Sequence, residues 1–106
     1  MFKLVLVFRK RPDLTDEEFM RHWREVHIPL VKRVPHIKRY VISPVRGAPL
    51  GEPDFDGMAE LWFENEAIAR AALATPETEA TGRDGRNFIM KGSLRRFFCV
   101  EEVIVP

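Results

Sequence analysis

Two side chains in this sequence have the chemistry to move a proton. His27 lies four residues after Trp23, eight after Phe19 and three before Leu30, so it belongs to an apolar stripe that must face the core. An imidazole among apolar neighbours can act as general acid, general base or ligand, because it titrates near neutrality. The same position also suits a buried histidine held by a backbone carbonyl that Pro29, lacking an N–H, leaves free. Tyr40 is the single tyrosine. On a strand, a phenol either fills core space or presents its hydroxyl as a donor. Projecting toward the helix layer, it would meet His27 across a small pocket. Two such groups in an apolar cleft are the minimal apparatus for shifting a proton on a bound carbonyl, lactone or phenol.

Other residues are candidates to hold the ligand. Glu60 alternates with Met58 and Trp62 on one strand face. It can serve as a base, orient His27, or pair with an arginine at a subunit contact. Trp23, Trp62, Phe88 and Phe98 can line a pocket for a flat apolar ligand, or simply fill a core. Asp84 is expected in a late glycine-containing loop, guarding a pocket mouth or capping a turn. His22 sits one residue off the stripe and His36 at a strand start, so both are expected in solvent. Cys99 has no activating neighbour in the sequence and reads as inert core. Arg83, Arg86, Lys91, Arg95 and Arg96 form a basic run, expected as a solvated rim.

The elements that must position these groups follow from periodicity and punctuation. Phe2 to Arg9 reads as a strand, with Phe2, Leu4, Leu6 and Phe8 on one face and Val5 and Val7 on the other. Thr15-Asp16-Glu17-Glu18 is a capping box opening a helix along Phe19, Trp23, Val26, Leu30 and Val34, with a kink or restart expected near 27–29. His36 to Val45 reads as a second strand, 44–56 as a long loop, and Gly57 to Phe63 as a third strand. An alanine-rich helix stops near Thr75-Pro76, with a further helical turn over 77–81 and a polar stretch from Thr81 to Lys91 that buries Phe88, Ile89 and Met90. Leu94 to Val105 reads as the last strand. The order βαββαβ is the ferredoxin-like plan of the α+β class: a four-stranded antiparallel sheet with two helices on one face. Strands apolar on both faces leave half a sheet face uncovered, which face-to-face pairing in a homodimer solves.

Composition narrows the function classes. At 106 residues, 45% apolar and 31% charged, the chain is one globular domain over 1–106. A net charge of +1 argues against nucleic acid as a partner. No apolar run approaches the ~20 residues of a membrane span, and the N-terminus does not read as a signal peptide, so the cytoplasm is expected. One cysteine gives no internal disulfide, and no zinc pattern is present. The absence of a phosphate loop, a Gly-x-Ser-x-Gly elbow and a His-Glu-x-x-His helix removes ATP hydrolysis, serine-nucleophile chemistry and zinc proteolysis.

The stretch Phe19-x-x-x-Trp23-x-x-x-His27-x-Pro29-Leu30-Val31, followed by Pro35 and Arg39-Tyr40, resembles the EthD family of small dimeric α/β-barrel proteins. So do Asp56-Gly57-x-Ala59-Glu60-Leu61-Trp62-Phe63 and Asp84-x-x-x-Phe88. Proteins of similar architecture include muconolactone-type isomerases, polyketide cyclases, cofactor-free monooxygenases and haem-degrading enzymes, with a ligand pocket between helices and sheet. The resemblance implies that the motif histidine is His27 and the tyrosine of the Arg-Tyr pair is Tyr40, both in the pocket. Methylmuconolactone methylisomerase-like relatives also draw on a further histidine and a cysteine. Here the loop between the second and third strands has no histidine, and Cys99 lies in the last strand instead.

The resulting expectation is cofactor-independent acid–base chemistry, of isomerase, cyclase, dehydratase or monooxygenase type, on a small apolar or aromatic carbonyl or lactone. His27 and Tyr40 are the catalytic candidates, and Trp23, Glu60, Trp62, Asp84 and Phe88 the substrate-binding ones, with no metal. A non-catalytic binding or accessory protein for a hydrophobic intermediate is the competing expectation, and haem binding through His27 a third.

Overall fold

β1 (Phe2–Phe8) is the hub of the sheet, because it pairs antiparallel with both β3 (Gly57–Phe63) and β4 (Arg95–Val100). β2 (Arg39–Pro44) pairs with the other edge of β3, giving the order β2-β3-β1-β4. In the computed structural model, which describes residues 1–106, the fold is the ferredoxin-like α+β plan. Strand alternation sends Leu4, Phe8, Ala59, Leu61 and Phe63 into the core beneath the helices. It sends Lys3, Val5, Met58, Glu60 and Trp62 to the opposite face. No helix is long and apolar enough to cross a membrane.

The first helical layer is one bent rod: α1 (Asp16–His22), a π turn (Trp23–His27) and α2 (Ile28–Val31). Thr15 and Glu18 close the capping box reciprocally, at 3.0 and 2.9 Å. The π turn decides which residues face inward. An α-helix turns ~100° per residue, so a side chain every fourth position drifts by ~40° per step. Here the Ile28 amide reaches back five residues to the Trp23 carbonyl, and the wider turn absorbs that drift. Phe19, Trp23, His27 and Val31 therefore share the inward face, and Val26, expected in the stripe, is 43% exposed. Pro29 supplies the cause, since its ring crowds the carbonyl four residues back.

The second layer is longer than its sequence indicates. α3 (Glu66–Leu73), capped by Asn65, is followed by α4 (Pro76–Gly85), capped by Thr75 with Pro76 in the first turn. The expected short turn over 77–81 is thus a full helix, and Asp84 lies in its last turn rather than in a loop. Glycines at 82 and 85 weaken the helical signal without preventing the helix.

Other boundaries also move. β2 begins at Arg39, not His36, whose φ of 68° is incompatible with a strand. β4 ends at Val100, leaving Val103, Ile104 and Val105 at least 72% exposed, and Met90 is exposed rather than buried. Gly57 is required where it stands: a Cβ there would lie 2.8 Å from the Phe8 ring and 2.9 Å from the Trp23 indole.

Candidate active site

A cavity of about 130 Å³ lies between the helices and the sheet, and both His27 and Tyr40 line it. The π turn carries His27 inward, and β2 alternation carries Tyr40 to the same side, where it packs against both halves of the core. Most of the remaining wall is apolar, including Trp23, Leu6, Val31 and Leu61.

Behind His27 stands Asp84, the one buried carboxylate. Its Oδ2 accepts from His27 Nδ1 at 2.8 Å, and its Oδ1 lies 2.9 Å from His22 Nε2 and accepts from Asn87 Nδ2 at 3.0 Å. A carboxylate has no proton to give, so the shared proton is on His27 Nδ1 and the free lone pair on Nε2. Phe88, fully buried, packs on both imidazoles with ring centroids 4.7 Å from His27 and 5.2 Å from His22.

The electrostatics agree with those roles. Burial holds His27 below its ordinary value, outweighing the pull of Asp84 in the other direction, so the ring is neutral at pH 7. Burial also pushes Asp84 up, but hydrogen bonds from Asn87, His27 and His22 outweigh it and the carboxyl ends below its usual range. The Tyr40 phenol is pushed up to about 12 by burial, against a smaller opposing effect of Trp23, and keeps its proton at neutral pH. A neutral imidazole held in one tautomer opposite a protonated phenol can accept a proton at one point of a ligand and donate a hydrogen bond at another.

The remaining candidates separate by sheet face. Trp23 lines the cavity, whereas Asp84 and Phe88 stand behind His27 and position it. Glu60 and Trp62 are on the opposite face and cannot orient His27. Glu60 accepts from Lys3 Nζ at 2.7 Å. Trp62 is sandwiched between the Lys3 and Arg39 cations and donates from Nε1 to Glu101 at 3.0 Å. Within the chain, the one ion-pair partner of Glu60 is Lys3. His22, expected in solvent, is half-buried against Asp84. Its distance of five positions from His27 is the π-turn spacing, a relation invisible while the segment is read as a regular α-helix. No set of His, Cys, Asp and Glu side chains is arranged to hold a metal ion.

Comparison with known proteins places this geometry in a family. The EthD domain model matches residues 11–92. The chain belongs to the EthD family. An uncharacterized 11.0 kDa protein of the thcB-thcC intergenic region of Rhodococcus erythropolis is 29% identical over the full length of both chains. The solved structure of an EthD family protein from Bacillus halodurans superposes with a TM-score of 0.84 at 25% identity, covering 96% of this chain and 99% of that one. A dimeric ferredoxin-like protein of unknown function from Thermobifida fusca shares the fold with a TM-score of 0.73 at 15% identity, over 94% and 90% of the two chains. SnoaB, a cofactor-independent oxygenase from Streptomyces nogalater, does so with a TM-score of 0.69 at 16% identity, over 99% and 96%.

Proposed function

We propose that this EthD protein is a cofactor-independent acid–base catalyst acting on a small apolar or aromatic carbonyl or lactone. The observation that carries the reading is that His27 and Tyr40 line one largely apolar cavity, with Asp84 fixing the His27 tautomer. In this mechanism His27 Nε2 takes a proton from the carbon beside the carbonyl, and the C–H electron pair moves into the carbonyl to give an enolate. The Tyr40 hydroxyl donates a hydrogen bond to the enolate oxygen, and the imidazolium formed on His27 is stabilised by Asp84. In a β,γ-unsaturated substrate the enolate extends through the double bond, and return of the proton from His27 to the γ carbon moves that double bond into conjugation, completing an isomerisation with no external oxidant. The apolar wall excludes water from the enolate.

His27→Ala and Tyr40→Phe are expected to abolish or strongly reduce turnover on any substrate that responds in a panel of small carbonyls and lactones. Undiminished rates in both variants would remove the mechanism. The apolar character of the wall also favours a second reading, sequestration of a hydrophobic intermediate without turnover. It predicts saturable binding, no product, and tolerance of His27→Gln.

The subunit arrangement we propose is a homodimer joined through the uncovered sheet face. That face presents Val7, Val41, Met58 and Phe97, and Phe97 is 48% exposed in the isolated chain. Dimeric proteins of the same fold support this reading.

A further inference from the structure

The cavity opens beside β4, where Gly82 of α4 and Leu94 and Arg96 are its exposed lining residues. Gly82, Gly85, Ile89 and Leu94 also line a broad surface groove, so the two spaces are continuous. Apart from His27 and Tyr40, every titratable side chain lining cavity or groove is a cation: Arg96 in the cavity, and Arg11, Arg86 and Lys91 in the groove. No carboxylate lines either space. With a net charge of only +1, this is a local arrangement rather than a chain-wide excess.

The cations are not equivalent. Arg11 is taken by Asp13 in a two-pronged pair, at 2.6 and 2.7 Å, and by the carbonyls of Arg86 and Asn87. Arg83 lies in the last turn of α4 and Arg86 is its C-cap, where the helix dipole accounts for positive charge without any ligand. Arg96 has neither explanation. It pairs in register with Leu6, itself a cavity residue, and so projects from the helix-side face of the sheet. It belongs to none of the ion pairs of the chain. A free guanidinium at the rim of an apolar chamber is the arrangement that recognises a planar anion, because its fork of donors matches a carboxylate.

We propose that the ligand of this site is a small organic acid, with its apolar body in the cavity and its carboxylate held at the mouth by Arg96. Arg86 and Lys91 lie on the approach and raise the encounter rate. The proposal rests on reading the cavity as the ligand site and narrows its occupant from any small apolar carbonyl to an anionic one. Anchoring the carboxylate at the rim also leaves the other end of the ligand to reach His27 and Tyr40.

The test uses cinnamate and its neutral isostere cinnamamide as probes, titrated into the intact protein while the Trp23 indole N–H is followed by NMR, since Trp23 lines the cavity. Cinnamate is expected to bind about ten- to a hundredfold tighter than cinnamamide, the range for a hydrogen bond to a charged group. Arg96→Gln, an exposed substitution, is expected to bring cinnamate down to the affinity of cinnamamide and leave cinnamamide unchanged, and Arg96→Lys to fall between. Added salt should weaken cinnamate alone. Equal affinities in the unaltered protein, or a preference that survives Arg96→Gln, would overturn the anion proposal while leaving the cavity as a ligand site. If neither probe moves the Trp23 signal, the proposal fails together with the cavity reading beneath it.

Discussion

Replacing Asp84 with asparagine interrogates the support of His27 directly. Asp84 accepts on both oxygens, Oδ1 facing His22 and Asn87 and Oδ2 facing His27 and, at 3.1 Å, His22 as well. The new amide has one oxygen. Either orientation keeps two contacts, but turning the oxygen toward His27 sets the new NH2 against the NH2 of Asn87, which unlike an imidazole has no second tautomer, so the orientation facing His22 and Asn87 wins. Its NH2 group then faces His27 Nδ1, which must become the acceptor and move its proton to Nε2. The hydrogen bond to His27 survives as a neutral one and loses its charge assistance, about 1–1.5 kcal/mol, which lowers the melting temperature by about 4–10 °C for a domain of this size. Turnover of a responsive substrate should fall by orders of magnitude, because the base would carry a proton where it needs a lone pair. Long-range 1H–15N correlation spectra report the imidazole tautomer without any substrate, and thermal denaturation gives the stability. An Nδ1–H tautomer in the variant, with a melting temperature within a degree or two of the parent, would refute the role assigned to Asp84.

Three further outcomes follow from particular contacts. Gly57→Ala places a methyl against Phe8 and Trp23 at 2.8–2.9 Å and should cost about 1–3 kcal/mol by overpacking, read from urea unfolding. His27 titrates below its ordinary 6.5 in the folded chain, so as pH falls the unfolded state takes up the proton first. Stability should therefore be full above about 6.5 and decline through the folded pKa, with Asp84 adding a further loss below 3.8. His27→Gln should flatten the upper part of that decline, and an unchanged slope would exclude His27 as its source. Phe97→Asp on the open sheet face should shift sedimentation from dimer to monomer with little loss of monomer stability, whereas a dimer that persists would place the interface elsewhere.

The sequence by itself determined the order of elements, because strands and helices differ in hydrophobic period and the capping box at Thr15 is written in local residue types. It also singled out His27 and Tyr40, since each is a polar group in a run otherwise committed to the core. The sheet order and the meeting of those two side chains in one cavity came only from tertiary structure. So did the partner of His27: Asp84 is 57 residues away in sequence, in a segment whose glycines hide the helix that brings it there. Glu60 had the more persuasive local pattern, yet alternation along β3 carries it to the far face. A local signal fixes the face of an element on which a residue lies, but which faces meet depends on how distant segments pack. The π turn links the two levels, since Pro29 is plain in the sequence while its effect, bringing His22 and His27 onto one carboxylate, exists only once α4 has docked.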